Sequence, residues 1–416
     1  MLPLNVRIGF FLALRALRRA SPWTTTLIIF VMVLTFLNLV VISGILVGLL
    51  QGAVDAVRTK YTSDVIVSTL SDKSYIEGSQ NLLALIDTLP EVEAVTARYR
   101  EGGILEANYK TRKETDKANT AAAQIVGVDP IKENVVTNIA EDIVEGSFLA
   151  PGDYDKVVLG YYLLKQYIPI ESPAFSTLEN VGVGTKIRLQ VGDVTREVTV
   201  KGILKTKVDE IALRAFMIDS QFRSMIGRSD GNVTEISIKL KEGADPIAVR
   251  ETLERSGVGT YAKVQTYQDA QPQAFKDIIN TFNMLGAMFS SIGLVVASIT
   301  IFIVIFVNAL TRRKFIGILK GIGISGRAIE VSYVFQSIFY AVIGSAAGLA
   351  LVYGFLVPYF VRNPIDFPFS DGILVAPLEQ TLFRVGLLII STVIAGYIPA
   401  WMIIRRNTLD SILGRN

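Results

Sequence analysis

Two absences narrow the chemistry open to this chain of 416 residues: it contains no histidine and no cysteine. The first removes the commonest general base and zinc ligand. The second removes thiolate nucleophiles, thiolate metal sites and disulfides. A phosphate loop is missing too, since no G-x-x-x-x-G-K-[ST] run occurs. The nearest glycine-rich runs, Gly182-Val183-Gly184-Thr185-Lys186 and Gly321-Ile322-Gly323, lack the spacing. What the residues do offer is a docking surface between Thr311 and Ser325. There Phe315, Ile318, Leu319 and Ile322 fall on one helical face, a pattern suited to a hydrophobic groove on a partner. Arg312, Arg313, Lys314 and Lys320 surround that face with positive charge, and Gly321 and Gly323 end the helix. The plainer alternative is a basic loop that only obeys the positive-inside rule.

This segment lies between two of four long apolar stretches, which run from Thr24 to Leu50, Met284 to Leu310, Ile329 to Val357 and Phe383 to Ile404. Each exceeds the roughly 20 residues that span a bilayer as a helix. A mean hydropathy of +0.44 is also too high for an ordinary soluble protein. The first run, 27 residues long with no small-x-small closing site, is expected to be an uncleaved signal-anchor. Lys and Arg give the orientation. Arg7, Arg15, Arg18 and Arg19 precede the first stretch; Arg312, Arg313, Lys314, Lys320 and Arg327 follow the second; Arg405, Arg406 and Arg415 follow the fourth. Only Glu330 and Asp410 oppose them, so both termini and the middle loop are expected in the cytoplasm. The residues from Gly52 to Asp277, with 27 basic and 33 acidic side chains, are expected outside it. Their balanced charge implies no strong anion-binding field and no nucleic-acid partner.

The first twenty residues read as a helix at the cytoplasmic interface. Val6, Phe10, Ala13, Leu14 and Leu17 share a face, and Arg7, Arg15 and Arg18 point elsewhere. Ser21-Pro22 starts a new helix. The outer domain has mixed α/β character. Strands are expected over Asp64–Thr69 and Val92–Tyr99 with a helix over Asn81–Leu89 between them, and a strand over Glu235–Leu240 with a helix over Pro246–Arg255 after it. Ala123–Val128, Val157–Leu159, Lys186–Val191, Glu197–Leu204 and Phe216–Ile218 are shorter strands of a subdomain inserted into the first. Tyr109–Thr120 reads as a mobile loop. Helical pattern from Pro272 to Asn283, mirrored by Gln51–Lys60, predicts paired stalks. Gly344-x-x-x-Gly348 marks a close helix contact, either within the chain or between two copies. Gly396 and Pro399 are expected to bend the fourth span. Val361–Phe369 forms an outer loop. The spans carry no carboxylate pair or Ser-Lys dyad, only Glu330 and Arg384 near their ends, which argues against an intramembrane enzyme.

The run from Arg312 to Gly323 resembles the coupling segment of FtsX-like ABC transporter permeases, the group that includes MacB, LolC/LolE and DevC. Arg312, Arg313, Ile316, Gly317, Lys320 and Gly323 match the family pattern, while Phe315 stands where an acidic or amide residue is usual. Gly396-Tyr397-Ile398-Pro399-Ala400 and the closing Arg405–Leu413 are similar to the family's last stretch, with Leu413-Gly414 in place of Leu-Arg. Gly127-Val128-Asp129-Pro130, Glu145-Gly146, Val157-Val158-Leu159-Gly160 and Val200-Lys201-Gly202-Ile203 resemble a MacB-type periplasmic core, in the family's order.

The resemblance implies an α+β membrane protein with four transmembrane helices and a large mixed α/β extracytoplasmic domain inserted between helices 1 and 2. The expected parts are residues 1–20, a cytoplasmic interfacial helix; 21–51, helix 1; 52–277, the outer core, with the inserted subdomain at about 123–230; and 278–310, stalk and helix 2. Residues 311–327 follow as coupling segment, 328–358 as helix 3, 359–382 as outer loop, 383–404 as helix 4 and 405–416 as cytoplasmic tail. It further implies a multi-pass permease of the plasma (inner) membrane that is not itself an enzyme. Separate cytoplasmic ABC ATPase subunits would bind the ATP and Mg, so no cofactor is expected in this chain. Further expected partners are a second permease protomer, membrane lipid and an envelope adaptor. The implied role is coupling ATP hydrolysis to movement of the outer domain, for export or extraction of a lipid, lipoprotein, peptide or drug-like substrate. The competing role is an FtsX-type regulator that activates a cell-wall hydrolase.

Overall fold

The computed structural model describes residues 4–113, 117–168, 176–271, 273–367, 370–372 and 374–404. Expectations resting on Pro272, Pro368, Phe369 and the closing stretch 405–416, including Arg405, Arg406 and Arg415, lie outside the described residues. The chain divides into two compact units: Met1–Leu50 with Lys276–Phe367 and Asp371–Asn416, and Gln51–Phe275 with Pro368–Ser370.

The first unit is helical. Among the described residues four helices are long and apolar enough to cross a membrane: Pro22–Thr62, Phe275–Thr311, Gly326–Arg362 and Leu378–Met402. The first runs 41 residues, which at helical rise is about 60 Å, twice the bilayer's apolar core. One π-turn, Asn38–Ile42, interrupts it, and a second, Arg58–Thr62, closes it. The second belongs to an unbroken helix, Gln273–Thr311, of 39 residues.

Small residues set how closely these helices approach. A Cβ on Gly344 would fall 2.4 Å from Cβ of Met32, and one on Gly348 would fall 2.2 Å from the ring of Phe36. The Gly344/Gly348 stripe of the third helix is therefore occupied by the first helix of the same chain. Gly396 serves the fourth helix in the same way, since a Cβ there would lie 1.9 Å from Oγ of Ser337. Pro399 is accommodated inside the helix Leu378–Ile404. Behind these contacts Met32, Phe36, Val40, Ala297, Ile301, Ile305, Tyr340 and Leu388 form one buried cluster. The four-residue spacing of Ala297, Ile301, Ile305 and Ala309 places one stripe of the second helix in that core.

The N-terminal helix, Leu4–Arg18, turns Gly9 and Ala13 inward. Gly9 packs so closely that a Cβ would lie 2.7 Å from Val331 and 2.9 Å from the Ala328 carbonyl. Gly9 and Ala13 make the contact with the neighbouring helix, while Phe10 and Leu14 of the expected apolar face are exposed and Phe10 touches Phe335 edge-on.

The second unit is built on a ten-stranded sheet. Its strands are β1 (Val65–Ser68), β2 (Val92–Ala107), β3 (Asn119–Val128), β4 (Ile143–Gly146), β5 (Lys156–Gly160), β6 (Lys186–Val191), β7 (Val194–Leu204), β8 (Arg214–Ile218), β9 (Glu235–Leu240) and β10 (Lys263–Thr266). The order is β10-β1-β9-β2-β3-β8-β5-β7-β4, with β6 bridging β2 and β7. Most pairs are antiparallel; β3–β8 and β5–β7 are parallel.

β2 is the hinge of the topology. Its first half, Val92–Arg98, pairs with β9, and its second half, Tyr99–Ala107, pairs with β3. The strand expected to stop at Tyr99 therefore continues for eight residues, because β3 takes over as its partner there, and at Gly103 neighbouring backbone comes close. A Cβ on Gly103 would meet the Gln190 carbonyl at 2.8 Å. Two main cores result. One holds Val65, Val67, Leu82, Ile86, Ile236, Ile238 and Leu253 under the helices Ser79–Asp87 and Pro246–Arg255. The other holds Leu105, Ile125, Leu159, Leu189, Val200 and Phe222. This second core already draws on Tyr99, Leu105, Ala107 and Ala121, ahead of residue 123. The expected loop Tyr109–Thr120 is correspondingly shorter, since Asn119 and Thr120 begin β3. Tyr109 is also held, donating its hydroxyl hydrogen to Glu197 beneath the Arg188 guanidinium.

Candidate coupling site

The helix Gln273–Thr311 closes on Thr311, whose hydroxyl donates to the Val307 carbonyl at 2.9 Å. After Arg312 a second helix follows at once, Arg313–Gly321. Its end is a Schellman closure. The Ile324 N–H bonds the Leu319 carbonyl at 3.0 Å, and the Gly323 N–H bonds the Lys320 carbonyl at 3.0 Å. Gly323 takes a left-handed φ of +92°, which suits glycine. Ser325 then caps the helix Gly326–Leu351, its hydroxyl accepting from the Ala328 N–H, and also bonds Oδ1 of Asn5 at 2.8 Å.

Within this short helix the apolar residues divide into two sets. Ile316 is 4% exposed and belongs to the core of the helical unit, and Gly317 is buried beside it. Leu319 and Ile324 pack against the same core. On the other side Phe315, Ile318 and Ile322 are 54%, 53% and 71% exposed. Leu319 therefore leaves the outward face it was expected to share, because as the third residue from the end of a Schellman helix it pairs inward with Ile324. The outward set keeps a spacing of three, four and seven residues, which is one side of a helix.

The charges are placed unevenly. Lys314 is exposed and Arg312 half-buried. Arg313 opens the helix, but its side chain lies outside the described residues. Lys320 turns back and donates to the carbonyl of Ile404 in the last described turn of the fourth apolar helix, where a cation is favoured by the helix dipole. Gly326 lies against Ile404 as well. The site is thus a short helix fixed from beneath at Ile316, Leu319 and Lys320, with three apolar side chains presented outward. Among the described residues no cluster of His, Cys, Asp or Glu could hold a metal ion.

Two features of the spans and the sheet had little sequence signal. Arg384 of the fourth apolar helix donates from Nη2 to the Ser43 hydroxyl at 2.5 Å, and its Nη1 is buried without an acceptor. In the sheet unit, Arg98 and Arg214 are fully buried. Arg98 reaches Glu133 at 2.8 Å and Arg214 grips Glu235 through two bonds of 3.1 Å. Arg100 adds a third cation to Glu235 at 3.1 Å, and the Tyr61 hydroxyl donates to the same carboxylate at 3.0 Å. Burial pushes the Glu235 carboxyl up, but Arg214, Arg98 and Arg100 outweigh it and hold it at about 2. The cluster ties β2, β8 and β9 to the residues that enter the sheet after Val57. Thr96 and Arg98 share a parity on the strand, and that pattern is the only sequence hint of an inward charge.

Comparison with known proteins accounts for both units. Residues 25–256 match the model of the MacB-like periplasmic core domain, and residues 287–408 match that of the FtsX-like permease C-terminal region. The chain is 26% identical over 246 residues to a macrolide export ATP-binding/permease protein MacB of Bdellovibrio bacteriovorus, covering 56% of this chain and 36% of that protein. It is 25% identical over 281 residues to an uncharacterized ABC transporter permease of Methanocaldococcus jannaschii, covering 66% of each. The chain thus spans about a third to two thirds of the length of these curated relatives. Among solved structures it is similar to the periplasmic region of MacB from Actinobacillus actinomycetemcomitans, at 16% identity and a TM-score of 0.36, over 54% of this chain and 95% of that one. The first of these relatives is named an ATP-binding/permease protein and the second an ABC transporter permease. The chain belongs to the family of ABC transporter permeases that join a MacB-like periplasmic core domain to an FtsX-like C-terminal region.

Proposed function

We propose that this chain is the transmembrane subunit of an ABC exporter or mechanotransmission complex. The helix Arg313–Gly321 docks a separate cytoplasmic ATPase, which binds ATP and Mg, and passes its movement to the spans. The sheet unit, inserted between the first and second spans, works on the outer side of the plasma membrane, with both termini inside. Export or extraction of a lipid, lipoprotein, peptide or drug-like molecule is the output, and a second protomer completes the permease. The observation that carries this reading is the outward set Phe315, Ile318 and Ile322 on a helix anchored at its opposite side. Three apolar side chains left exposed at helical spacing beside Arg312 and Lys314 suit a groove on a protein partner. The anchor means that force on the outward set reaches the core between the spans. The long helices that carry spans one and two supply stalks on the same reading.

Co-purification tests it. Ile318→Asp, with Arg312→Glu as a second variant, should lose the ATPase and its permease-stimulated hydrolysis while the full chain keeps its thermal midpoint. Retention of the ATPase and normal stimulation by both variants would overturn the assignment.

A further inference from the structure

The N-terminal helix Leu4–Arg18 presents a second surface that its packing leaves uncovered. Gly9 and Ala13 press it onto the helix Gly326–Leu351. On the opposite side Leu4, Arg7, Phe11, Leu14, Arg15 and Arg18 are all exposed. At 3.6 residues per turn these six positions fall within about 100° of arc, so cations and large apolar groups interleave along one stripe. The first twenty residues contain four arginines and no acid. None of Arg7, Arg15, Arg18 or Arg19 pairs with a carboxylate among the described residues.

We infer that this stripe binds anionic phospholipid, the arginines holding headgroup phosphates and Leu4, Phe11 and Leu14 entering the acyl boundary. The mixture selects the occupant. A free phosphate or other soluble polyanion would satisfy the guanidinium groups and leave three large apolar side chains in water. A neutral lipid would cover the apolar groups and leave the charges without partners. An anionic lipid surface does both, the combination that holds amphipathic helices at membranes. The inference rests on the permease reading, which places this helix beside a membrane-spanning segment.

Trp23 is the reporter. It lies five residues beyond Arg18, is 85% exposed, and shares the chain only with Trp401. The full chain carrying Trp401→Phe is placed in phosphatidylcholine nanodiscs in which either brominated phosphatidylglycerol or brominated phosphatidylcholine is added at equal mole fraction. At low salt, Trp23 quenching should report at least a fivefold preference for phosphatidylglycerol, about the factor contributed by one arginine near a membrane surface. The preference should collapse in 0.5 M salt, where the screening length falls to roughly 4 Å. It should also vanish when Arg7, Arg15 and Arg18 are replaced by glutamine. Equal quenching by the two lipids, or a preference that survives the triple replacement, overturns the inference and leaves the permease reading standing. Absence of quenching by either lipid would instead overturn the membrane placement on which both depend.

Discussion

Removing Glu133 would leave the Arg98 guanidinium buried without its nearest counter-charge, and breaking a buried pair in this way costs about 3–5 kcal/mol. Glu133→Gln is expected to lower the denaturation midpoint of the sheet unit accordingly. Thr96 and Thr137, which both donate to that carboxylate, can still bond an amide and set the loss at the lower end. Acid should act on the same cluster. Glu235 titrates in the folded chain at about 2 against an ordinary 4.5. Its stabilising contribution is therefore full above pH 4.5 and is lost as pH falls from there toward 2. Circular dichroism between pH 5 and 2 should show the transition, and Glu235→Gln should flatten this part of the profile. At the coupling helix, Ile316→Ala should cost about 2 kcal/mol or more, whereas Ile318→Ala should stay within about 0.5 kcal/mol. Comparing the two thermal midpoints separates anchor from outward face, and similar losses would mean that the helix is not oriented as described.

At the scale of elements, small residues do most of the placing. Gly344→Val puts side-chain atoms where Met32 already lies, and overpacking of this kind costs about 1–3 kcal/mol. Its thermal midpoint and yield in detergent should fall, and Met32→Ala in the same chain should recover part of the loss. A surviving contact between copies would predict instead a change in association with no change in stability. Gly323→Ala tests the Schellman closure. Its left-handed φ should make the replacement cost about 1 kcal/mol, and Ile324 should lose its hold beside Leu319. Loosening of that turn is expected to weaken ATPase stimulation more than ATPase binding. A titration of hydrolysis against ATPase concentration distinguishes the two effects.

Across the whole molecule, much was legible because it depended on local pattern. Twenty or more apolar residues in a row mark a helix that can span a bilayer whatever surrounds it, so the stretches at Thr24, Met284, Ile329 and Phe383 reappear within the four apolar helices. The β1–helix–β2 unit, and β9 with the helix after it, show the same directness, since period-two and period-3.6 patterns are set by neighbours in sequence. What depended on distant partners was less legible. Leu319 turned inward because Ile324 closes on it, and the N-terminal helix makes its contact at Gly9 because that residue fits against Val331. The strand β2 outran its expected end because it changes partners at Tyr99, a long-range event with no local mark. The charge cluster was hidden for the same reason, as Arg98, Arg214, Glu133 and Glu235 come from four separate elements.

That change of partners has a practical corollary for anyone building chimaeras. Since one continuous ribbon of sixteen residues from Val92 to Ala107 serves both hydrophobic interiors, the inserted lobe cannot be lifted out by cutting at its apparent borders. A graft from a relative that begins at residue 123 would leave the donor lobe without Leu105 and Ala107 and mismatch it against the host's own edge. Exchanges that carry the entire ribbon, together with the strands on either flank, should yield folded hybrids where narrower swaps precipitate.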